Sequence, residues 1–326
     1  MIKYKFTLLT LLFFATLTPL KAMCEKDLKE DTRQMHPHHF TIKESGLFAG
    51  FGLTEDESFV WIDDMENSSP SRKKVSLRGQ HIEIEGTPKK HCIGSYDLES
   101  MKGIPCMAKA YALKRMQNCW ECFERTGFNP AFYHVSRDQL SLQQQAYNLR
   151  PHCVYLASFQ EEGALKVGLA YTPRLLGRWL EQGALAATVI QSFPDAYQAR
   201  ELEKRISETY HIPEGFSCEK KRLWLRSPFS LEKILTNLKN QKEKIISELQ
   251  LLDPQTPICD LWSLYKIEVV DFETVEDRTF LQQKVQGRYL GLVGDALIYE
   301  HNSQKYMCGL KKHVGSSVIR ILRTLK

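Results

Sequence analysis

The stretch CVYLASFQEEGALKVGLAYTPRLLGRWLEQGALAATVIQSFPDAYQARELEKRISETYHI, residues 153–212, carries the reading of the fold. VYLASF is a short apolar run of strand type, EEGA is a turn, and LKVGLA is a second strand, which together predict a hairpin. PRLLGRWLEQGALAA follows with helical spacing, placing Leu175, Leu176, Trp179 and Leu180 on one side and Pro173 in the first turn. ATVIQSF is a third strand, and AYQARELEKRISETY is a second helix opened by Asp195 as its cap. The order is β-β-α-β-α. Along the second helix Ala199, Leu202, Ile206 and Tyr210 form the inward stripe, and Glu203 falls among them. A carboxylate there is costly to bury unless a cation compensates it; a divalent metal or an arginine such as Arg178 would do so. Glu201 lies off the stripe, where it can pair with Arg205 on a solvated face.

Outward from this unit the chain divides into blocks. Residues 1–22 hold Lys3 and Lys5 ahead of an apolar run from Phe6 to Leu20, with Ala22 before a possible cleavage point. This is the layout of a secretory signal peptide and is short for a membrane span, so no stable span is expected in the mature chain. A start at Met23 or Met35 is the rival reading, giving a cytoplasmic protein instead of an exported one. Residues 23–90 are an N-terminal β region: the histidines at 36, 38 and 39 read as solvated, and Phe40 to Gly86 alternates as a meander of antiparallel strands. Residues 91–150 hold four cysteines and a polar linker that includes a helix within Ser136 to Arg150. Residues 151–229 are the central unit with a basic tail. In 230–326 an amphipathic helix, Leu231 to Leu252, carries Leu231, Ile234, Leu235, Leu238, Ile245, Ile246 and Leu249, and short glycine-punctuated strands follow from Leu261. The fold class is therefore α+β.

Nine cysteines in 326 residues, an odd number in a large chain, exclude a small disulfide scaffold. Five are scattered and read as buried thiols. Cys92, Cys106, Cys119 and Cys122 cluster, separated by 13, 12 and 2 residues. The C-x-x-C turn presents two thiolates to one tetrahedral zinc, and turns at Gly94, Gly103 and Pro105 can bring in the other two. Two disulfides, or a redox C-x-x-C, remain open on spacing alone. Zinc suits a reducing compartment; disulfides suit export.

The net charge of +5, which falls to +2 without residues 1–22, permits nucleic-acid binding without arguing for it. The local run KKRLWLR is more pointed: Lys220, Lys221, Arg222 and Arg226 surround Trp224, basic groups for phosphates with an aromatic for stacking. Arg72, Lys73 and Lys74, and Lys311 and Lys312, can extend such a surface. Each run alone also reads as an ordinary solvated face.

Three stretches, HCIG…IPC…QNCWEC, VYLASF…LKVGLAYTPRLLGRWLEQGA and VQGRYLGLVGDALIYE…KKHVG, together resemble the bacterial family of domain of unknown function twenty-seven ninety-seven, over about residues 75–320. That resemblance implies a shape and that the four cysteines belong together. More distantly the central unit is similar to the GIY-YIG nuclease superfamily. VYL stands where GIY would be, so Tyr155 matches its first tyrosine. KVG stands where YIG would be, so Gly168 matches and Lys166 replaces the second tyrosine. Arg178 matches the helix arginine, with Arg174 one turn earlier as competitor, and Glu203 matches the magnesium-binding glutamate. The similarity implies nucleic-acid binding with Mg²⁺-dependent strand cleavage, and Lys166 is where it departs. The alternatives are an inert zinc-stabilised adaptor and an exported disulfide-containing protein.

Overall fold

The computed structural model describes residues 40–129, 131–268, 271–278 and 284–324. The apolar N-terminal segment, Cys24 and the histidines at 36, 38 and 39 lie outside the described residues. In chain order the strands β1 (Phe40–Leu53), β2 (Ser58–Asp64), β3 (Ser71–Ser76) and β4 (His81–Gly86) come first. The short pair β5 (Ser95–Asp97) and β6 (Lys102–Ile104) and helices α1 (Trp120–Thr126) and α2 (Leu142–Asn148) follow. The central unit is β7 (His152–Ser158), β8 (Leu165–Tyr171), α3 (Leu175–Gln182), β9 (Ala186–Phe193) and α4 (Ala196–Tyr210). Helices α5 (Cys218–Leu225) and α6 (Leu231–Glu248) lead to β10 (Cys259–Asp260), β11 (Glu276–Asp277), β12 (Val285–Val293), β13 (Ala296–His301), β14 (Gln304–Gly309) and β15 (Ser317–Thr324). The fold is α+β. Among the described residues no helix is long and apolar enough to cross a membrane.

The central sheet runs β10-β9-β7-β8, with β7 antiparallel to both β8 and β9. All seven residues of β7 are buried, because both of its faces are covered. On one face Val154 and Leu156 join Leu202 and Ile206 of α4 and Ile234, Leu238 and Ile245 of α6. On the other, Cys153, Tyr155 and Ala157 pack with Trp179 and Leu180 of α3 and with the strands of the large sheet. A strand buried on both sides reads as a continuous apolar run, which is why VYLASF shows no alternation. Asp195 caps α4 by accepting from the Gln198 amide at 2.8 Å, as expected. Helix α3 stops five residues before the sequence pattern suggests. Gly183 takes a left-handed conformation (φ +77°), and Ala186 and Ala187 begin β9 instead. Gly183 also backs onto Gly294, where an added Cβ would stand 2.8 Å from the Gly183 amide nitrogen. Helix α6 likewise ends at Glu248, and its buried row includes Lys242, whose Nζ donates to the Thr256 carbonyl at 2.7 Å.

The second sheet has the order β11-β14-β13-β12-β4-β15-β1-β2-β3. Only β1–β2–β3 form the expected N-terminal meander. Strand β4 leaves it and lies between β12 and β15, so the first and last strands of the chain complete one sheet. Ile82 and Ile84 are fully buried there, a burial that no local hairpin could supply. Two arginines fix the outer pieces to this sheet. Arg72 grips the fully buried Asp63 through Nε–Oδ1 at 2.6 Å and Nη2–Oδ2 at 2.8 Å, and donates to the Ile93 carbonyl at 2.6 Å. Arg222 of α5, also buried, pairs with Asp295 at 3.1 Å and Asp277 at 3.5 Å.

Removing one partner of a buried pair leaves an uncompensated charge, which costs far more than the pair contributes. Asp295→Ala leaves the buried Arg222 with Asp277 alone, at 3.5 Å, and is expected to lower unfolding stability in urea by about 2 kcal/mol. Adding Arg222→Met to it should recover most of the loss.

Candidate functional site

The four cysteines of the 91–150 block meet. Their Sγ atoms all lie within 4.8 Å of one another, and Cys92, Cys106 and Cys122 are buried. Cys119 immediately precedes α1 and Cys122 sits in its first turn, so the C-x-x-C pair is presented by a helix start. Cys92 and Cys106 arrive from turns pressed together at Gly94 (φ +85°), where a Cβ would stand 1.8 Å from the Ile104 carbonyl oxygen. No other residue fits this position. The Gly94 amide donates to Cys92 Sγ at 3.2 Å, and Asn118 Nδ2 ties down the Gly94 carbonyl. Cys106 and Cys119 Sγ atoms stand 4.0 Å apart. A tetrahedral metal with sulfur bonds of about 2.3 Å has an S–S edge of about 3.8 Å; a disulfide bond is about 2.05 Å. The donor set therefore fits a metal ion. Burial pushes the Cys92 thiol up to about 11 and the Cys122 thiol higher still, so these two sulfurs ionise at neutral pH only beside a cation. Of the scattered thiols Cys153 and Cys308 are buried, and Cys218 and Cys259 are half-buried.

A cleft of about 810 Å³ opens between this block and the central unit. One wall comes from the cysteine block and its linker, with Tyr96, Leu98, Met101, Phe128 and Tyr147. Strand β8, the outer strand of its sheet, runs along the cleft through Lys166, Gly168, Leu169, Ala170 and Tyr171. Tyr155, Arg178 and Glu203 line the same cleft, so four residues matched from the sequence reach it from β7, β8, α3 and α4. Gly168 pairs with Tyr155 across the strands, and the phenol lies directly over it. A Cβ on Gly168 would stand 2.6 Å from the Tyr155 hydroxyl oxygen. Glycine here is what gives the ring its place.

The electrostatics separate these groups. Tyr155 donates to Gln182 Oε1 at 3.3 Å and packs edge-on against Trp179. Burial pushes its phenol up to about 12, with the Arg178 guanidinium opposing. Lys166 is 5% exposed, with Nζ 5.6 Å from the Tyr155 ring centre. Desolvation, then repulsion from Arg178 and Lys221, brings its amine down to about 8. Glu203 is buried as its place in the stripe requires, but its partner is not Arg178. Arg200, one turn earlier on α4, bonds Glu203 Oε2 at 2.5 Å and Glu214 Oε2 at 2.7 Å. Burial raises the Glu203 carboxyl and Arg200 opposes that rise. Glu201 and Arg205 are both exposed.

Arg174 and Arg178 differ in what they touch. Arg174 is engaged by Glu181 at 3.1 Å and by the Tyr96 hydroxyl at 3.3 Å. Among the described residues no carboxylate lies within ion-pair range of Arg178 or Lys166. The cleft thus holds two cations without acidic partners. Arg200, Glu214 and the tyrosines at 96, 147 and 171 were not singled out from the sequence. The i,i+3 spacing of Arg200 and Glu203 was the one local signal for any of them.

The basic run of α5 does not form the expected surface. Arg222 is inside, held by two aspartates. Lys221 Nζ caps the Gln182 carbonyl at 2.9 Å and lies over the Phe159 ring. Trp224 packs against the main core and Phe216, with Lys220 over its face, and Arg226 is half-buried. The helix turns Arg222 and Leu225 inward, while Glu219 and Lys220 stay exposed. Similarly, Arg72, Lys73 and Lys74 are paired with Asp63, Glu44 and Glu57.

These features define a protein with a four-cysteine, metal-competent centre beside a cationic cleft. The chain belongs to the family described as protein of unknown function (DUF2797), which matches residues 79–318. No curated protein and no solved structure matches it.

The buried Lys166 makes stability depend on pH. Its folded value, about 8, lies below the ordinary 10.5, so the unfolded chain binds more protons between these limits and stability rises with pH there. Urea midpoints measured from pH 7 to 10.5 should shift upward more for the wild type than for Lys166→Met, since the buried thiols and phenols, which act in the opposite direction, are common to both. Equal slopes would contradict the assigned burial.

Proposed function

We propose that the cleft binds nucleic acid and carries out Mg²⁺-dependent strand cleavage, on a scaffold held by structural zinc at Cys92, Cys106, Cys119 and Cys122. The observation that carries this reading is the convergence of Tyr155, Lys166, Arg178 and Glu203 from four elements on one cleft, in the chain order of the GIY-YIG nucleases. Arg178, which has no carboxylate within ion-pair range among the described residues, suits a phosphodiester.

Glu203 is the carboxylate that would hold a divalent cation, with Glu214 beside it; the cation would neutralise charge on the scissile phosphate. Arg178 binds the phosphate oxygens and stabilises charge that develops there. Tyr155, pushed up to about 12, stays protonated at neutral pH and acts as a donor. Proton removal from the attacking water falls to Lys166 instead. Desolvation supplies the lowered amine value that a lysine base needs, and so compensates the missing second tyrosine. One observation favours a second reading, binding without cleavage: Arg200 already occupies Glu203 Oε2.

Two experiments test these assignments. Purified full-length protein should contain about one zinc per chain, and Cys92→Ser should lose it together with much of its thermal stability. In a nicking assay with Mg²⁺ on DNA and RNA, Arg178→Ala should lower kcat/KM about 100-fold. Glu203→Ala should lower it at least as much, and the wild-type rate should climb with pH and level off above about 8. Cleavage unchanged in both variants would rule out the site; binding with no cleavage in any divalent metal would establish the second reading.

A further inference from the structure

We infer that the aromatic rings gathered between the linker wall and the ends of β7 and β8 form a nucleobase-stacking subsite, so that the ligand is a single strand with its bases turned into the cleft. This rests on the nucleic-acid reading of the same cleft and goes beyond it by naming the form of the substrate.

Five aromatic rings gather in this part of the cleft. Tyr147 stands at its centre, with its ring 5.6 Å from Tyr171, 5.5 Å from His152 and 6.2 Å from Phe128. All four rings line the cleft, and Tyr96 joins them. Phe128 is exposed and Tyr96, Tyr147 and Tyr171 are half-buried, so these rings offer open edges and faces instead of a closed core. Cations border them: Arg174 donates to the Tyr96 hydroxyl, and the Arg150 guanidinium lies 5.7 Å from the Tyr171 ring centre. Aromatic rings interleaved with positive charge are what single-strand binders present, because every base has a π-face and every linkage a charge.

His152 fixes the rings from behind. Its Nδ1 lies 2.8 Å from the Arg150 carbonyl oxygen, so Nδ1 carries the proton and donates. Burial lowers its pKa, so the ring is neutral and, at 1% exposure, backs Tyr147 and Tyr171 instead of meeting the ligand itself. A duplex cannot use this wall, since its bases are stacked on one another and its outer face shows backbone. The cleft volume, about 810 Å³, also falls in the range of sites that enclose a small ligand.

The test is fluorescence anisotropy with full-length protein and no added magnesium. The probes are a short labelled oligothymidine, an abasic strand with the same number of phosphates, and a duplex. The wild type should bind oligothymidine about tenfold or more tighter than the abasic strand, as stacking on one or two rings provides. Tyr171→Leu and, separately, Tyr147→Leu should erase that preference while leaving abasic binding in place. Tyr171→Phe, which keeps the ring, should retain it. Arg178→Ala should weaken both strands alike. Equal wild-type affinity for the two strands, or tighter binding of the duplex, would overturn the stacking subsite and leave the phosphate reading standing. Binding of none of the probes would overturn both.

Discussion

The burial of β7 on both faces is the constraint on which the remaining structure depends. One face needs α4 and α6 and the other needs α3 and the large sheet, so this strand joins the two hydrophobic cores. A strand in that position has no solvated side on which to place a polar group cheaply. Its tyrosine can still reach a cleft because β8 ends the sheet and offers Gly168 opposite the ring. The same geometry buries Lys166, two residues earlier on β8, and lowers its amine. Packing and acid–base character therefore have one origin.

The cysteine block acts on this unit from outside. Its four sulfurs close a loop-rich segment with little apolar core of its own, and Arg72 ties that segment to the large sheet through the Ile93 carbonyl. That segment carries the far wall of the cleft, above all Tyr96, Leu98 and Phe128. A metal at the cysteines would thus shape the cleft without touching a ligand. The charge pattern follows the same division of labour. Arg72, Arg200 and Arg222 are held by neighbouring carboxylates, which is why a basic run in the sequence says little by itself, whereas among the described residues Arg178 and Lys166 have no carboxylate within ion-pair range where the walls converge.

Much of the central unit was legible in the sequence. Strand, turn and helix in residues 153–210 follow local rules: apolar runs, a glycine turn, an aspartate cap and a 3.6-residue stripe. The inward aim of Glu203 was readable from the same stripe, and the C-x-x-C pair announced the cysteine centre. Helix ends were less legible. Gly183 stops α3 through its conformation and its contact with Gly294, a residue far along the chain. The basic run of α5 misled for a related reason, since composition shows charge but not which half of a short helix faces a sheet.

By itself, then, the sequence determined the β-β-α-β-α order, the grouping of the four thiols and the residues able to do chemistry, because each depends on neighbours within a few turns or on side-chain type. Only the tertiary structure decided that β4 completes a sheet with the last strands of the chain. It also decided that Arg200, not Arg178, compensates Glu203, and that tyrosines from the cysteine block face Lys166 across one cleft. Those outcomes are set by long-range burial and by which charges meet when water is excluded, and neither is written in local spacing.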